Sequence, residues 1–171
     1  YHNTDEIMQS LSGYIADTAN KSHLQAIKAF ATWELPARLL AEEILQSALS
    51  QRMNVIYDRS CALPSAYEFM KNVKERGYQL IIHGLHCDWQ LAQERAIQRE
   101  AAEGRHIPTT TLKERHESIA KLWPSYFTLA DQAYLYDSST AQWPVIVQKT
   151  GADQPLEIEQ PESFKKLSFE K

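Results

Sequence analysis

Apolar positions recur at helical spacing in three long stretches of this chain and gather into short runs between them. Leu35, Leu39, Leu40, Ile44, Leu45, Ala48 and Leu49 fall on one stripe, and Pro36 suits the first turn of a helix. A second helix opens at Pro64, carries Ala66, Phe69, Met70 and Val73 inward, and stops before Gly77. Asp88 is placed to cap a third, which runs to about Glu103. Gly104-Arg105-His106-Ile107-Pro108 interrupts the pattern. Thr111 and Glu114 then have capping-box spacing for a fourth helix, with Leu112, Ile119, Ala120 and Trp123 inward and a kink or break at Pro124. Ahead of these, Asp5 to Tyr14 reads as a short helix that turns at Gly13.

The short apolar runs predict strands over 54–58, 78–83, 133–137 and 144–149. The first and third end in Asp58 and Asp137. Strands alternating with helices predict an α/β fold with a mostly parallel sheet and helices on both faces. Residues 1–150 form the core of this reading. Residues 151–171 are rich in Glu, Pro and Lys and read as a tail or edge appendage. In such sheets ligands bind beyond the carboxyl ends of the strands, which puts Asp58, Asp137 and the loops after Asp58 and His83 at the expected crevice.

Composition removes several alternatives. The net charge is −4, so no basic surplus points to nucleic acid. Two cysteines, Cys61 and Cys87, make no disulfide framework and fit a reducing compartment, where they read as small buried hydrophobes. No run of about 18 apolar residues is present to span a membrane, and no signal peptide opens the chain. Tyr1 begins in mid-pattern, which suggests a chain cut upstream. His83 and His86 lack a third ligand at zinc spacing, and His116 reads as a hydrogen-bonded structural residue.

The charged residues carry the chemistry. Arg95 and Arg99 share one helix face, and Arg105 follows in a loop able to fold back over it. Three guanidiniums beside a strand-end crevice suit the oxygens of a triphosphate. The same spacing fits a solvated face on which Glu94, Glu100 and Glu103 pair with the arginines. Asp58 is suited to a magnesium-bound water or an attacking hydroxyl, and equally to a turn; Asp5 is suited to proton uptake and equally to a helix cap.

The run Arg95-Ala-Ile-Gln-Arg99, Glu103-Gly-Arg105-His-Ile-Pro108, Leu112 and His116 resembles the zeta-toxin family of P-loop kinases. Asn3-Thr-Asp5-Glu-Ile7 looks like the family's catalytic-aspartate segment, Asn54-Val-Ile-Tyr-Asp58-Arg-Ser60 like its strand ending in an acid, and Trp33-Glu34 like its substrate-contacting glutamate. Tyr134-Leu-Tyr-Asp137-Ser138-Ser resembles the late strand and nucleotide-side loop. The resemblance covers about residues 1–150. It implies a three-layer P-loop kinase-like fold and an ATP- or GTP-dependent kinase with Mg2+, whose candidate acceptor is UDP-N-acetylglucosamine.

In that picture Asp5 is the base, and Arg99 and Arg105 stabilise the transferring phosphoryl group. Arg95, Asp137 and Ser138 lie toward the nucleotide, Glu34, Asp58 and Ser60 toward the acceptor, and Asp58 near magnesium. The resemblance also implies an inhibitory antitoxin protein as partner and a cytoplasmic location, in the cell of origin or in a cell that receives the protein as a toxin or effector. The phosphate-binding sequence Gly-x-x-x-x-Gly-Lys-Ser/Thr is absent from the 171 residues. The expectation is that it lies upstream with the first strand. The alternative is a catalytically silent module that keeps the fold to bind a nucleotide or a protein.

Overall fold

Asn3 starts the first helix of the chain. Its backbone is extended, and its side-chain oxygen accepts the N–H groups of Asp5 and Glu6, at 2.8 and 3.3 Å, which would otherwise be orphaned. The structure is a computed structural model that describes residues 1–19, 23–103 and 107–167. In chain order the elements are α1 (Thr4–Ser10), α2 (Ser12–Thr18), α3 (His23–Ser50), α4 (Pro64–Glu75), β1 (Ile81–His86), α5 (Trp89–Glu103), α6 (Thr109–Leu129), β2 (Gln132–Asp137), β3 (Val145–Lys149), β4 (Glu157–Ile158) and α7 (Pro161–Phe164). They fall into two compact units. One comprises residues 1–59 and 95–107, the other residues 60–94 and 108–171, with the boundary inside α5.

In the first unit α1 and α2 pack on α3. The expected inward stripe of α3 is corrected: Leu35 and Leu39 are 63% and 61% exposed, while Ala29, Ala37, Ala41, Leu45 and Leu49 are buried. Alanines on that line let neighbouring backbone approach closely. Pro36 lies inside α3 rather than in its first turn, because the helix begins a dozen residues earlier; it forfeits only the bond to the Thr32 carbonyl. Gly13 is likewise inside α2 and not a turn. A Cβ at Gly13 would run into the Trp33 ring, whose indole N–H donates to Asp17 at 2.8 Å.

The expected buried strand over 54–58 is reduced to one parallel bridge, His2 to Tyr57. His2 N–H donates to the Ile56 carbonyl and Asp58 N–H to the His2 carbonyl, at 2.8 and 3.0 Å. Helix α1 starts at Thr4 and ends the pairing there, and Ile56 is 68% exposed.

The second unit holds a sheet ordered β1-β2-β3-β4. The α/β class stands, but among the described strands only β1 and β2 pair in parallel. β3 and β4 join antiparallel, since the seven-residue link between Asp137 and Val145 is too short for a parallel crossover. Strand β1 runs 81–86 rather than 78–83, because the Asp131 carboxylate takes the Leu80 N–H at 2.8 Å just before it.

Alternation along β1 and β2 turns Gly84, Ala133 and Leu135 to the core. There they meet Trp123, Tyr126 and Phe127 of α6, Ile146 and Val147 of β3, and Phe164 and Leu167. On the other face Ile81 and Leu85 stay half exposed beside the stacked rings of His83, Tyr134 and Tyr136. Helix α6 begins at Thr109, so Thr111 caps nothing, and it continues through Pro124 at the loss of one bond to Ala120. Lys149, buried, donates to the carbonyls of Phe127 and Ala130 at 3.1 and 2.9 Å and closes the end of α6.

Candidate functional site

In the first unit Asp58 is exposed and gripped. Its Oδ2 accepts from the Tyr1 hydroxyl at 2.6 Å and from Asn3 Nδ2 at 2.8 Å. The same Asn3 holds the N–H of Asp5 through its oxygen, so one side chain ties the Asp58 turn to the start of α1. The Tyr1 phenol is pushed up chiefly because its proton is bound to Asp58. His2 is buried against Tyr57, ring centroids 5.5 Å apart. Its Nε2 lies 2.8 Å from the Ala41 carbonyl, which only accepts, so the proton sits on Nε2.

Asp5 is half-buried in the first turn of α1. Burial pushes the Tyr14 phenol up, and the Glu103 and Asp5 carboxylates add to the effect; these three groups therefore share a neighbourhood at the end of α5. On α5 itself Arg95 is exposed and Arg99 half-buried. Glu34 pairs with Arg38 one turn on, at 2.6 Å, both partly exposed. Such a pair is worth little and yields easily to a ligand. Arg105, like Gly104 and His106, lies outside the described residues.

The second unit carries the other group. His86 and Asp137 end the two parallel strands and are register partners. Ser138 is buried, its N–H and hydroxyl both donating to the His86 carbonyl, at 2.8 and 3.0 Å. Ser139 N–H donates to Asp137 Oδ1 at 2.8 Å. Burial pushes the Asp137 carboxyl up, but the Ser139 bonds and the positive charges of His86 and Lys166 outweigh it and hold the carboxyl below its usual range. His86 is pushed down by burial and by His116, whose ring lies 6.3 Å away. A shallow pocket of about 40 Å3 is lined by His86, Asp88, Asp137, Ser139, Ser163 and Lys166. Ser60 sits in an exposed loop of this unit.

The zeta toxin family model matches residues 14–132, well over half of the chain. The chain belongs to the zeta toxin family. Comparison with curated proteins and with solved structures gives no match. Membership brings a kinase-like, nucleotide-binding character. Glu34, Asp58, Ser60, Arg95, Arg99 and Arg105 fall within the matched span, while Asp5, Asp137 and Ser138 flank it.

The structure brings Asp5, Asn3 and Asp58 together in one unit and Asp137 and Ser138 in the other. Sequence reasoning missed Tyr1 and Asn3 as partners of Asp58, and His86, Ser163 and Lys166 as pocket residues. Asn3 alone left a signal, as a capping residue two positions before an acid. Among the described residues no three His, Cys, Asp or Glu side chains come together as a metal site, and no helix is long and apolar enough to cross a membrane.

Proposed function

We propose that this protein is an ATP- or GTP-dependent small-molecule kinase that phosphorylates a sugar hydroxyl, with UDP-N-acetylglucosamine the first candidate acceptor. The observation that carries the reading is the zeta toxin match over residues 14–132, which takes in the arginine-bearing helix α5 and the acid at Asp58. Asp5 accepts the acceptor's hydroxyl proton as that oxygen attacks the γ-phosphorus. The bond from the γ-phosphorus to the β–γ bridging oxygen breaks, and the nucleoside diphosphate leaves. Arg99 and Arg105 stabilise the charge of the transferring group, with Arg95 in support. Glu34 and Ser60 contact the acceptor, and Asp137 and Ser138 the nucleotide.

A hard carboxylate oxygen such as that of Asp58 fits Mg2+, which needs one or two protein carboxylates when phosphates complete its shell. When bound, the ion would neutralise phosphate charge. Asn3 and Tyr1 hold that carboxylate in place.

An inhibitory antitoxin protein is the proposed protein partner. A cytoplasmic setting, in the producing or a receiving cell, fits two cysteines that form no disulfide.

The phosphate-binding loop that transfer requires is absent from these 171 residues, so the assay is run on the full gene product. Purified protein is mixed with ATP or GTP and UDP-N-acetylglucosamine, and the phosphorylated sugar nucleotide is sought by mass spectrometry. Its formation supports the reading. Nucleotide binding without transfer to any sugar nucleotide favours the second reading, a silent module that keeps the fold to bind a nucleotide or a protein.

A further inference from the structure

The strand-end pocket of the second unit contains more than Asp137 and Ser138. Phe164 and Leu167 are buried in the core, and this anchorage brings Ser163 and Lys166 from the C-terminal segment to the ends of β1 and β2. The pocket's charges are the Asp88 and Asp137 carboxylates, the Lys166 ammonium and the His86 imidazole. Two carboxylates against one ammonium do not suit an anion. The Asp137 carboxylate is fixed by the Ser139 N–H and sits near enough to Lys166 for their charges to interact. The pocket therefore offers an acceptor-only group beside a donor-only group.

At about 40 Å3 it admits the edge of a heterocycle rather than a whole ring system. Among the common nucleobases only guanine presents two adjacent N–H donors, N1–H and the 2-amino group, followed by an acceptor, O6. Adenine and cytosine set a ring-nitrogen acceptor beside their amino group, and uracil flanks its N–H with two carbonyls. A carboxylate would meet a lone pair in each of those cases.

We infer that this pocket selects guanine nucleotides, with Asp137 accepting from N1–H and the 2-amino group and Lys166 donating to O6. The inference rests on the nucleotide-binding reading above and narrows it from either purine to one. Burial and the neighbouring His116 disfavour the charged form of His86, which leaves Lys166 as the pocket's permanent cation.

The test is a calorimetric titration of the full gene product with GDP, IDP, ADP and XDP. GDP is expected to bind about tenfold to a hundredfold more tightly than ADP, the range for hydrogen bonds to a charged group. IDP, which lacks the 2-amino group, should fall between them. Asp137→Asn should lower GDP affinity by a similar factor and raise affinity for XDP, whose 2-carbonyl accepts from the new amide. That gain cannot come from misfolding. Equal affinity for GDP and ADP, or an Asp137→Asn variant that keeps the parent's ranking, overturns the inference while leaving the kinase reading intact. GDP selectivity without phosphoryl transfer supports the inference and counts against the kinase. No saturable binding of any of the four overturns the inference and the nucleotide-binding reading together.

Discussion

Replacing Asn3 by alanine removes two things at once. The side-chain oxygen caps α1 through Asp5 and Glu6 N–H, and the amide donates to Asp58 Oδ2 at 2.8 Å. Loss of an N-cap costs about 1 kcal/mol. The bond to Asp58 is charge-assisted but exposed, so solvent screening discounts it to about 0.5 kcal/mol. Asn3→Ala should therefore lose about 1.5 kcal/mol in urea unfolding. Asn3→Ser, which can cap but cannot reach Asp58, should recover most of the first part. A double-mutant cycle with Asp58→Ala isolates the second, with a coupling of about 0.5 kcal/mol expected. An unchanged midpoint in Asn3→Ala, or Asn3→Ser as unstable as Asn3→Ala, would refute the claim that this residue organises the start of α1.

Three further outcomes follow from the second unit. Gly84→Ala should destabilise by about 1–3 kcal/mol in thermal melts, because its Cβ meets the Trp123 ring, with Cζ3 at 2.7 Å, and Leu135 Cδ1 at 2.9 Å; a neutral result would mean that Trp123 is loosely held. Lys149→Ala leaves the Phe127 and Ala130 carbonyls without their buried donor and should cost about 3 kcal/mol in chemical unfolding; a cost below the noise would show that water replaces it. Burial pushes the Asp131 carboxyl up, but the Leu80 N–H, Lys74 and Lys149 outweigh it and set it below its usual value. A carboxyl lowered on folding contributes stability above its unfolded pKa and loses it as pH falls through the folded one. The stability gap between the parent and Asp131→Asn should then be constant near neutral pH and close in acid, below the ordinary 3.8, in pH-dependent melts.

Long periodic segments were legible, and those decided by close approach were not. The Pro64 helix with Gly77 after it, the Asp88–Glu103 helix and the 133–137 strand lie where the pattern puts them, because local spacing and turn residues agree there. Gly13 and Pro36 read as punctuation yet sit within helices. One makes room for Trp33, and the other costs a single hydrogen bond in a helix held by packing. The leucines of α3 read as core from their size, whereas the buried line is alanine-rich, and periodicity does not distinguish the two stripes. The sheet reads as mostly parallel if every strand is given a helix, but the short link after Asp137 makes a hairpin. At the candidate site, Asp137 at the end of β2 was visible from the apolar run before it, whereas the strand expected before Asp58 is a single bridge. Lys166 and Ser163 were not, since a polar tail gives no sign that Phe164 and Leu167 pin it to the core.

The kinase reading turns on Asp5. In that reading nucleotide binding would rest on phosphate contacts, magnesium and the arginines, whereas transfer would also need the acceptor's proton to be taken up. The most direct measurement compares γ-phosphoryl transfer to UDP-N-acetylglucosamine and nucleotide affinity in the full gene product with those of its Asp5→Asn variant. The account predicts a rate lower by about 100-fold or more with the dissociation constant for the nucleotide nearly unchanged. Turnover by Asp5→Asn close to that of the parent would contradict it.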